Sequence, residues 1–380
     1  MKKAKTGKRK IGKWILAGIG VLFVVFLFGT YRLFREEMQI IGSIQKEKDN
    51  PFYEMTFHTD YHMDEILQKK IKSDDELAEV LAGYISHGFY KPEGEYRTEI
   101  GCSTITAMTS DGHLLWGRNF DWDKSTPIVV KSIPEKGYRS IATCEFGNIT
   151  SDENPNLDSM GNKFLAVASY YVPMDGINEK GLCVADLEVN EGGMVTVDTE
   201  KPDITVTMAI RLLLNRAANV EEAVALLKQY DVFASGGISH HLSMADATGR
   251  SVSVEFVEGE IIVVETPCVT NFNLAKGDFS AGGENAQERY LILQQILQET
   301  EGIMDKDQVQ KALLSVRKPE GQWTTRWSIV YEYAKNQADN GSDENNGNSE
   351  NTGSVERDES VFSLDYYFDG DFERKYTIGL

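Results

Sequence analysis

The chain has 380 residues, 41% of them apolar and 26% charged, an ordinary globular balance and enough for one large domain or two smaller ones. Its formal charge of −20, with no basic stripe after the first segment, excludes a nucleic-acid binder. Cys102, Cys144, Cys183 and Cys268 form no C-x-x-C pair, which argues against a metal site of that kind, and no structural disulfide is expected because Cys183 and Cys268 sit in apolar strand-like runs.

Residues 1–13 hold seven Lys/Arg and no acid, and read as a cytoplasmic basic tail. Trp14 to Tyr31 follows with 18 uncharged residues, closed by Arg32 and Arg35. At about 1.5 Å rise per residue that run nearly spans a bilayer core of ~30 Å. No A-x-A-like cleavage site is present, so the expectation is one uncleaved transmembrane signal anchor over 14–31. The positive-inside rule then puts the rest of the chain outside the cell membrane, single-pass, where 32 basic side chains face 59 acidic ones.

Residues 32–101 read as a stalk or pro-segment, with a helix after a Ser73 cap in "SDDELAEVLAGYIS". From Cys102 the pattern turns strand-like: "CSTITAM", a "SDGH" turn, "LLWGRNF", then "TPIVVKSI", "FLAVASYYV" and "GLCVADLEV". Two helices follow, "ITVTMAIRLLLNRA", apolar on most faces, and "NVEEAVALLKQY", with an Asn cap and early glutamates. Strands return in "HHLSMADA", "SVSVEFVEGEIIVVE" and "CVTNF", and helices in "NAQERYLILQQILQE" and "DKDQVQKALLSV". Lys335–Ser360 has almost no apolar residue and reads as a disordered insertion at a hairpin tip between "RWSIVYEYA" and "SVFSLDYYF". The order of strands, helices and strands gives an α+β class.

The chemistry centres on Cys102. A nucleophilic cysteine needs a base and a lowered pKa. Six histidines exist, His58, His62, His87, His113, His240 and His241, and none makes a recognised signature with Cys102, so a Cys–His dyad stays open. A second design needs no histidine. If the chain is cut at Gly101–Cys102, the new α-amino group, with a pKa of about 7.7–8.0, becomes the base for its own thiol. Gly101 suits such a cut because it sets no side chain against the thiol. Arg118 would favour the thiolate and Asp121 would hold the amine.

These residues carry a resemblance. Cys102 opening a strand, "GRNFDW" at Gly117–Trp122, "DGINEKGLCVADLEV" at Asp175–Val189, "CVTNF" and the helix around "ERYLIL" together resemble the choloylglycine hydrolase group of N-terminal nucleophile hydrolases. That group takes in bile salt hydrolases, penicillin V acylases, acid ceramidase and N-acylethanolamine amidases. The resemblance spans 102–380 and implies a four-layer αββα sandwich that hydrolyses linear, non-peptide C–N amide bonds with no metal or organic cofactor. It implies a small-molecule N-acyl amide as substrate, Cys102 as nucleophile, and Arg118 and Asp121 as its support. It implies Asn271 as the oxyanion-hole amide and Arg289 as a second active-site arginine. Bile salt hydrolases carry "GLNF" where this chain reads "DLEV", which places Glu188 at a substrate-binding position. Taken singly, Cys102 reads as a core thiol, Asn271 as a turn residue and Arg289 as an exposed helical residue paired with Glu284 or Glu288. An acyltransferase of the same family and a non-catalytic cell-envelope binding module on the same scaffold are the alternatives.

Overall fold

The structure, a computed structural model, describes residues 4–46, 51–90, 101–123, 125–150, 152, 154–189, 194, 196–276, 285–319, 324–334, 361–368 and 371–380. The chain opens with α1 (Ala4–Leu33), α2 (Arg35–Gly42), β1 (Tyr53–Phe57), α3 (Met63–Ile66) and α4 (Asp74–Ser86). The hairpin β2 (Gly101–Met108) and β3 (Leu114–Trp122) leads to β4 (Pro127–Ser132), β5 (Ser140–Glu145) and α5 (Met160–Ala166). Next come β6 (Asp175–Asn178), β7 (Cys183–Val189), β8 (Asp203–Thr205), α6 (Val206–Arg216), α7 (Val220–Leu227) and β9 (Asp231–Phe233). Then follow β10 (Ser239–Ala245), β11 (Ser251–Val257), β12 (Glu260–Glu265) and β13 (Cys268–Val269). The chain ends with α8 (Ala286–Glu299), α9 (Lys306–Ser315), β14 (Thr324–Ala334), β15 (Val361–Phe368) and β16 (Asp371–Gly379).

Two sheets dominate. One has eight strands in the order β1-β4-β5-β6-β7-β10-β11-β12, the other six in the order β13-β2-β3-β14-β15-β16. Strand residues alternate between faces, so each sheet buries two sets of side chains. Leu187, Ala185 and Cys183 of β7 meet Phe120, Trp116 and Cys102 between the sheets. The outer face of the eight-stranded sheet packs under α4, α6 and α7, and that of the six-stranded sheet under α8 and α9. The layers therefore run helix, sheet, sheet, helix. Gly117 permits the second helical contact: a Cβ there would lie 2.7 Å from Val309 Cγ1 and 3.1 Å from Leu313 Cδ1 on α9.

The segment expected as a stalk is part of this body. β1 pairs in parallel with β4 and edges the eight-stranded sheet. Phe52 sits between the sheets, its ring centroid 4.9 Å from Tyr366 and 5.5 Å from Tyr376. Apolar residues of α3 and α4, among them Ile66, Leu77 and Leu81, fill the outer core. "FLAVASYYV" is not a strand. It forms the end of α5 and a 3-10 turn over Val167–Tyr171, after a Ser159 cap that accepts Asn162 N–H at 3.0 Å. The "CVTNF" strand shrinks to Cys268–Val269. All four cysteines are free and buried. β14 and β15 pair antiparallel from Trp327 opposite Phe368 to Ala334 opposite Val361. The insertion between them, 335–360, lies outside the described residues. The expected transmembrane helix meets a limit: among the described residues no helix is long and apolar enough to cross a membrane.

β10 turns its two histidines to opposite faces. His240 packs on the helical side, its Nδ1 2.8 Å from Asp186 Oδ1 and its Nε2 2.6 Å from Ser235 O. His241 faces between the sheets, buried, with Nδ1 4.0 Å from Glu255 Oε1. Burial alone would lower the pKa of His240, but the Asp186 charge and hydrogen bonds to Asp186 and Ser235 hold it above its ordinary value. Burial pushes His241 down to about 4.

Two expectations follow from this packing. Phe52→Ala should cost about 3–5 kcal/mol in urea unfolding, as for a large core deletion; a change near zero would make the pre-segment dispensable to the core. His241 should make stability fall with acid. The unfolded ring titrates near ~6.5, so the unfolded chain binds more protons from there down to a pH of about 4. The loss over that window is on the order of 3 kcal/mol, and His241→Gln should flatten the stability–pH curve there. His240 has the opposite sign. Its contribution is present below ~6.5 and lost as pH rises through its raised folded value, so the two windows do not overlap.

Candidate active site

The first strand of the hairpin places Cys102 at the edge of the inter-sheet core, and the second brings back the charged residues. Thr104 lies opposite Arg118, Cys102 opposite Phe120 and Gly101 opposite Asp121. Arg118 and Phe120 share one face of β3, so the guanidinium enters the layer that holds the thiol. Arg118 Nη2 donates to Cys102 Sγ at 3.1 Å and to Asp186 O at 2.7 Å. Its Nη1 donates to Asp175 Oδ2 at 2.6 Å and to Met174 O. Tyr331 OH closes the group on Asp175 Oδ1 at 2.7 Å. Arg118, Asp175 and Cys102 are all fully buried.

The other face of Cys102 is set by the turn after β13 and by α8. Asn271 Oδ1 accepts the Cys102 backbone N–H at 3.0 Å and Arg289 Nη2 at 2.7 Å. Arg289 Nη1 donates to Cys102 O at 2.8 Å and lies 3.6 Å from Asp121 Oδ2. Arg289 is therefore not an exposed helical residue but a 5% exposed one pointing at the strand start. Asn271 Nδ2 donates to Glu188 O at 2.9 Å, so Glu188 reaches this cluster through its carbonyl, with its side chain half-buried. Asp121 Oδ1 accepts Thr325 Oγ1 at 2.6 Å, while Oδ2 makes no hydrogen bond and faces Gly101. A Cβ on residue 101 would lie 3.0 Å from Asp121 Oδ2 and 2.6 Å from Lys318 Nζ, so only glycine leaves this strand start uncrowded.

The five residues named for catalysis thus meet around Cys102, and the thiol's hydrogen bond among the described residues is with Arg118, not with a histidine. In the intact chain the Cys102 nitrogen is a peptide nitrogen and not a base. Burial pushes the thiol up to about 12; Arg118 pulls it down, while Asp121 and Asp186 raise it further. The thiol is neutral in this state.

Asp175, Asp186, Met174 and Tyr331 were not anticipated as site residues. Asp175 could have been, since it opens the D-x-x-N-E-x-G-L segment and a buried acid there needs a cation. Asn178 of that segment is a turn anchor, accepting the N–H of Lys180 and Leu182 and donating to Leu214 O and Ala217 O. Away from the cysteine, Asp198, Asp203 and Asp231 lie close enough to share a cation, but Lys72 Nζ already contacts Asp198 and sits 3.9 Å from Asp203.

An apolar cavity of about 460 Å³ lies between α4 and the α5 region, and of the residues around Arg118 only Met174 lines it. Phe34, Leu77, Leu81, Ile85 and Phe164 line it, with Met174, whose carbonyl holds Arg118.

Residues 102–287 match the family described as linear amide C-N hydrolases, choloylglycine hydrolase family. Among solved structures the chain is similar to a penicillin V acylase from Agrobacterium tumefaciens, with 17% identity over 61% of this chain and 82% of that one and a TM-score of 0.44. It is similar to a mutant conjugated bile acid hydrolase from Clostridium perfringens, with 17% identity over 73% of this chain and 92% of that one and a TM-score of 0.49. No curated protein matches the chain. The matched segment, just under half of the chain, starts at Cys102 and carries Arg118, Asp121 and Asn271, and over that stretch the chain is similar to the linear amide C–N hydrolases of the choloylglycine hydrolase family.

Proposed function

We propose that the chain is a membrane-anchored, extracytoplasmic amidase whose nucleophile is Cys102, freed as an N-terminal residue by a cut at Gly101–Cys102. The observation that carries this reading is one contact set: Asn271 Oδ1 3.0 Å from the Cys102 nitrogen, with Arg118 Nη2 3.1 Å from its sulfur. The first marks where a free amine would be held, the second what would stabilise a thiolate.

After the cut, the α-amine takes the thiol proton and the thiolate attacks the carbonyl carbon of an N-acyl amide. The oxyanion is stabilised by the Asn271 amide together with a backbone N–H. The tetrahedral intermediate collapses, the C–N bond breaks, and the departing amine takes the proton from the Cys102 ammonium. Water, deprotonated by the same amine, then hydrolyses the thioester, releasing the acid and restoring the thiol. Arg289 and Asp121 hold the strand start on which the amine sits. We place the apolar acyl group in the cavity beside Met174 and give Glu188 the amine side of the substrate. An acyltransferase differs only in an amine replacing that water.

Support for the anchor comes from α1. Every large apolar side chain from Ile19 to Phe28 is 50–70% exposed, on all faces of the helix. A helix that is apolar all round needs a covering that this body does not supply.

Cys102→Ala should abolish hydrolysis across a panel of conjugated bile salts, penicillin V, N-acyl homoserine lactones and N-acylethanolamines. It should also leave an uncut chain by intact mass, whereas the wild type yields a fragment that starts at Cys102. A wild-type chain that is uncut and inert on the whole panel sinks the reading in favour of a binding module. Activity in the intact chain, lost on His240 or His241 substitution, would favour a Cys–His hydrolase instead. Asn271→Ala should lower kcat by about 10²–10³, the usual effect of losing one oxyanion donor, measured on the best substrate of that panel.

A further inference from the structure

The turn that presents Asn271 has, among the described residues, one backbone hydrogen bond of its own, Phe272 N–H to Thr270 O at 2.9 Å. It follows a two-residue strand, β13, and precedes α8 by a long connection. Its best-defined anchor comes from the opposite sheet. Glu255 on β11 is fully buried, and its carboxylate accepts the N–H of Leu274 at 2.8 Å on Oε1 and of Ala275 at 2.9 Å on Oε2. Ser253 Oγ donates to Oε1 at 3.0 Å, and His241 Nδ1 stands 4.0 Å from the same oxygen.

We infer that Glu255 is a positioning residue for the amidase site, acting through the 271–275 turn on Asn271. The geometry is bidentate, one oxygen to each of two successive amides. That fixes the orientation of the turn and not only its distance from the sheet. Charge-assisted hydrogen bonds of this kind are roughly twice as strong as neutral ones. A buried carboxylate costs several kcal/mol in desolvation unless its oxygens are satisfied, so its contacts are not interchangeable with those of any polar residue. Its aim is toward the catalytic side. Asn271 lies three residues before Leu274 and holds both the Cys102 nitrogen and Arg289 Nη2. Thr270 Oγ1 ties the near end of the turn to Ala286 O at 2.8 Å, while Glu255 ties the far end.

The inference rests on the reading of Asn271 as a catalytic group, and the test separates the two. Glu255→Gln keeps size and polarity but sets an NH2 against a backbone N–H. It should lower kcat about 10–100-fold, as misplacement of a catalytic group by ~1 Å does, with KM changed less than threefold. The paired control is Asn271→Ala and the double variant. If Glu255 acts through Asn271, Glu255→Gln adds little in the Asn271→Ala background, a non-additivity that a merely structural role does not produce. If Asn271→Ala is itself silent, the amidase reading of that residue fails. If Asn271→Ala cripples the enzyme while Glu255→Gln does not, or the two effects simply add, the inference about Glu255 is overturned. Hydrogen exchange at Leu274 and Ala275 provides the second reading without substrate. Exchange there should rise at least tenfold in Glu255→Gln while the rest of β11 is unchanged, and unchanged protection overturns the anchor.

Discussion

A guanidinium with no exposed surface lies between two sheets, and the rest of the site is arranged to make that tolerable. Arg118 is buried beside Cys102 with Asp175 as its ion-pair partner at 2.6 Å. Taking such a pair out of water costs several kcal/mol per ion, which attraction offsets only when the remaining donors are filled. Here both Nη groups are filled, by Asp175, the Met174 and Asp186 carbonyls and the thiol, and the second Asp175 oxygen by Tyr331, while Nε makes no hydrogen bond among the described residues. The partners come from four places in the chain: Cys102 on β2, Met174 and Asp175 at the start of β6, Asp186 on β7 and Tyr331 on β14. The cation therefore ties the hairpin to both sheets. Replacing it with an apolar residue would leave Asp175 charged and uncompensated. The positive charge next to the sulfur thus sits at a place on which the fold also depends.

The same constraint explains why residues before Cys102 cannot be a detached stalk. The inter-sheet layer must exclude water for the Arg118 network to keep its strength. β1 and Phe52 close that layer along one edge, and α4 closes the outer core above it. A cut at Gly101–Cys102 would leave these contacts in place, since they are made by side chains and by the ladder to β4. The severed piece would stay packed, and the new amine would emerge within a finished core.

The parts of this architecture that depend on local chemistry were legible in the sequence. Ser73 and Asn219 do cap α4 and α7, accepting the N–H of Glu76 and Glu222. The "SDGH" turn does fold β3 back on β2. What failed was whatever tertiary contact decides. "FLAVASYYV" is apolar in every register, so no period distinguishes strand from helix, and the Ser159 cap with packing beneath α4 settled it as helical. The roles of Asp186 and Glu255 were invisible for the same reason, while that of Asp175 had only its place in the D-x-x-N-E-x-G-L segment to signal it. The partners of Asp175 and Asp186 lie 54 or more residues away, and those of Glu255 that matter here 19 to 20, in the turn after β13.

The neutral thiol of the intact chain follows from these contacts. Cys102 is held by burial up to about 12, although Arg118 stands against it. Arg118 alone does not make a thiolate there because burial outweighs it, and Asp121 and Asp186 add to that opposition. A base is needed at the cysteine, and the nearest histidines are engaged elsewhere: His240 with Asp186 across the sheet, and His241 buried near Glu255 with its basicity suppressed. In the proposed reading that base is the nitrogen of Cys102, which Asn271 already holds by its N–H and which would become an amine on a cut at Gly101–Cys102. In that reading the glycine at 101 and the cysteine at 102 act together: the former lets the strand start pass Asp121 and Lys318, and the latter would supply sulfur and base from one residue.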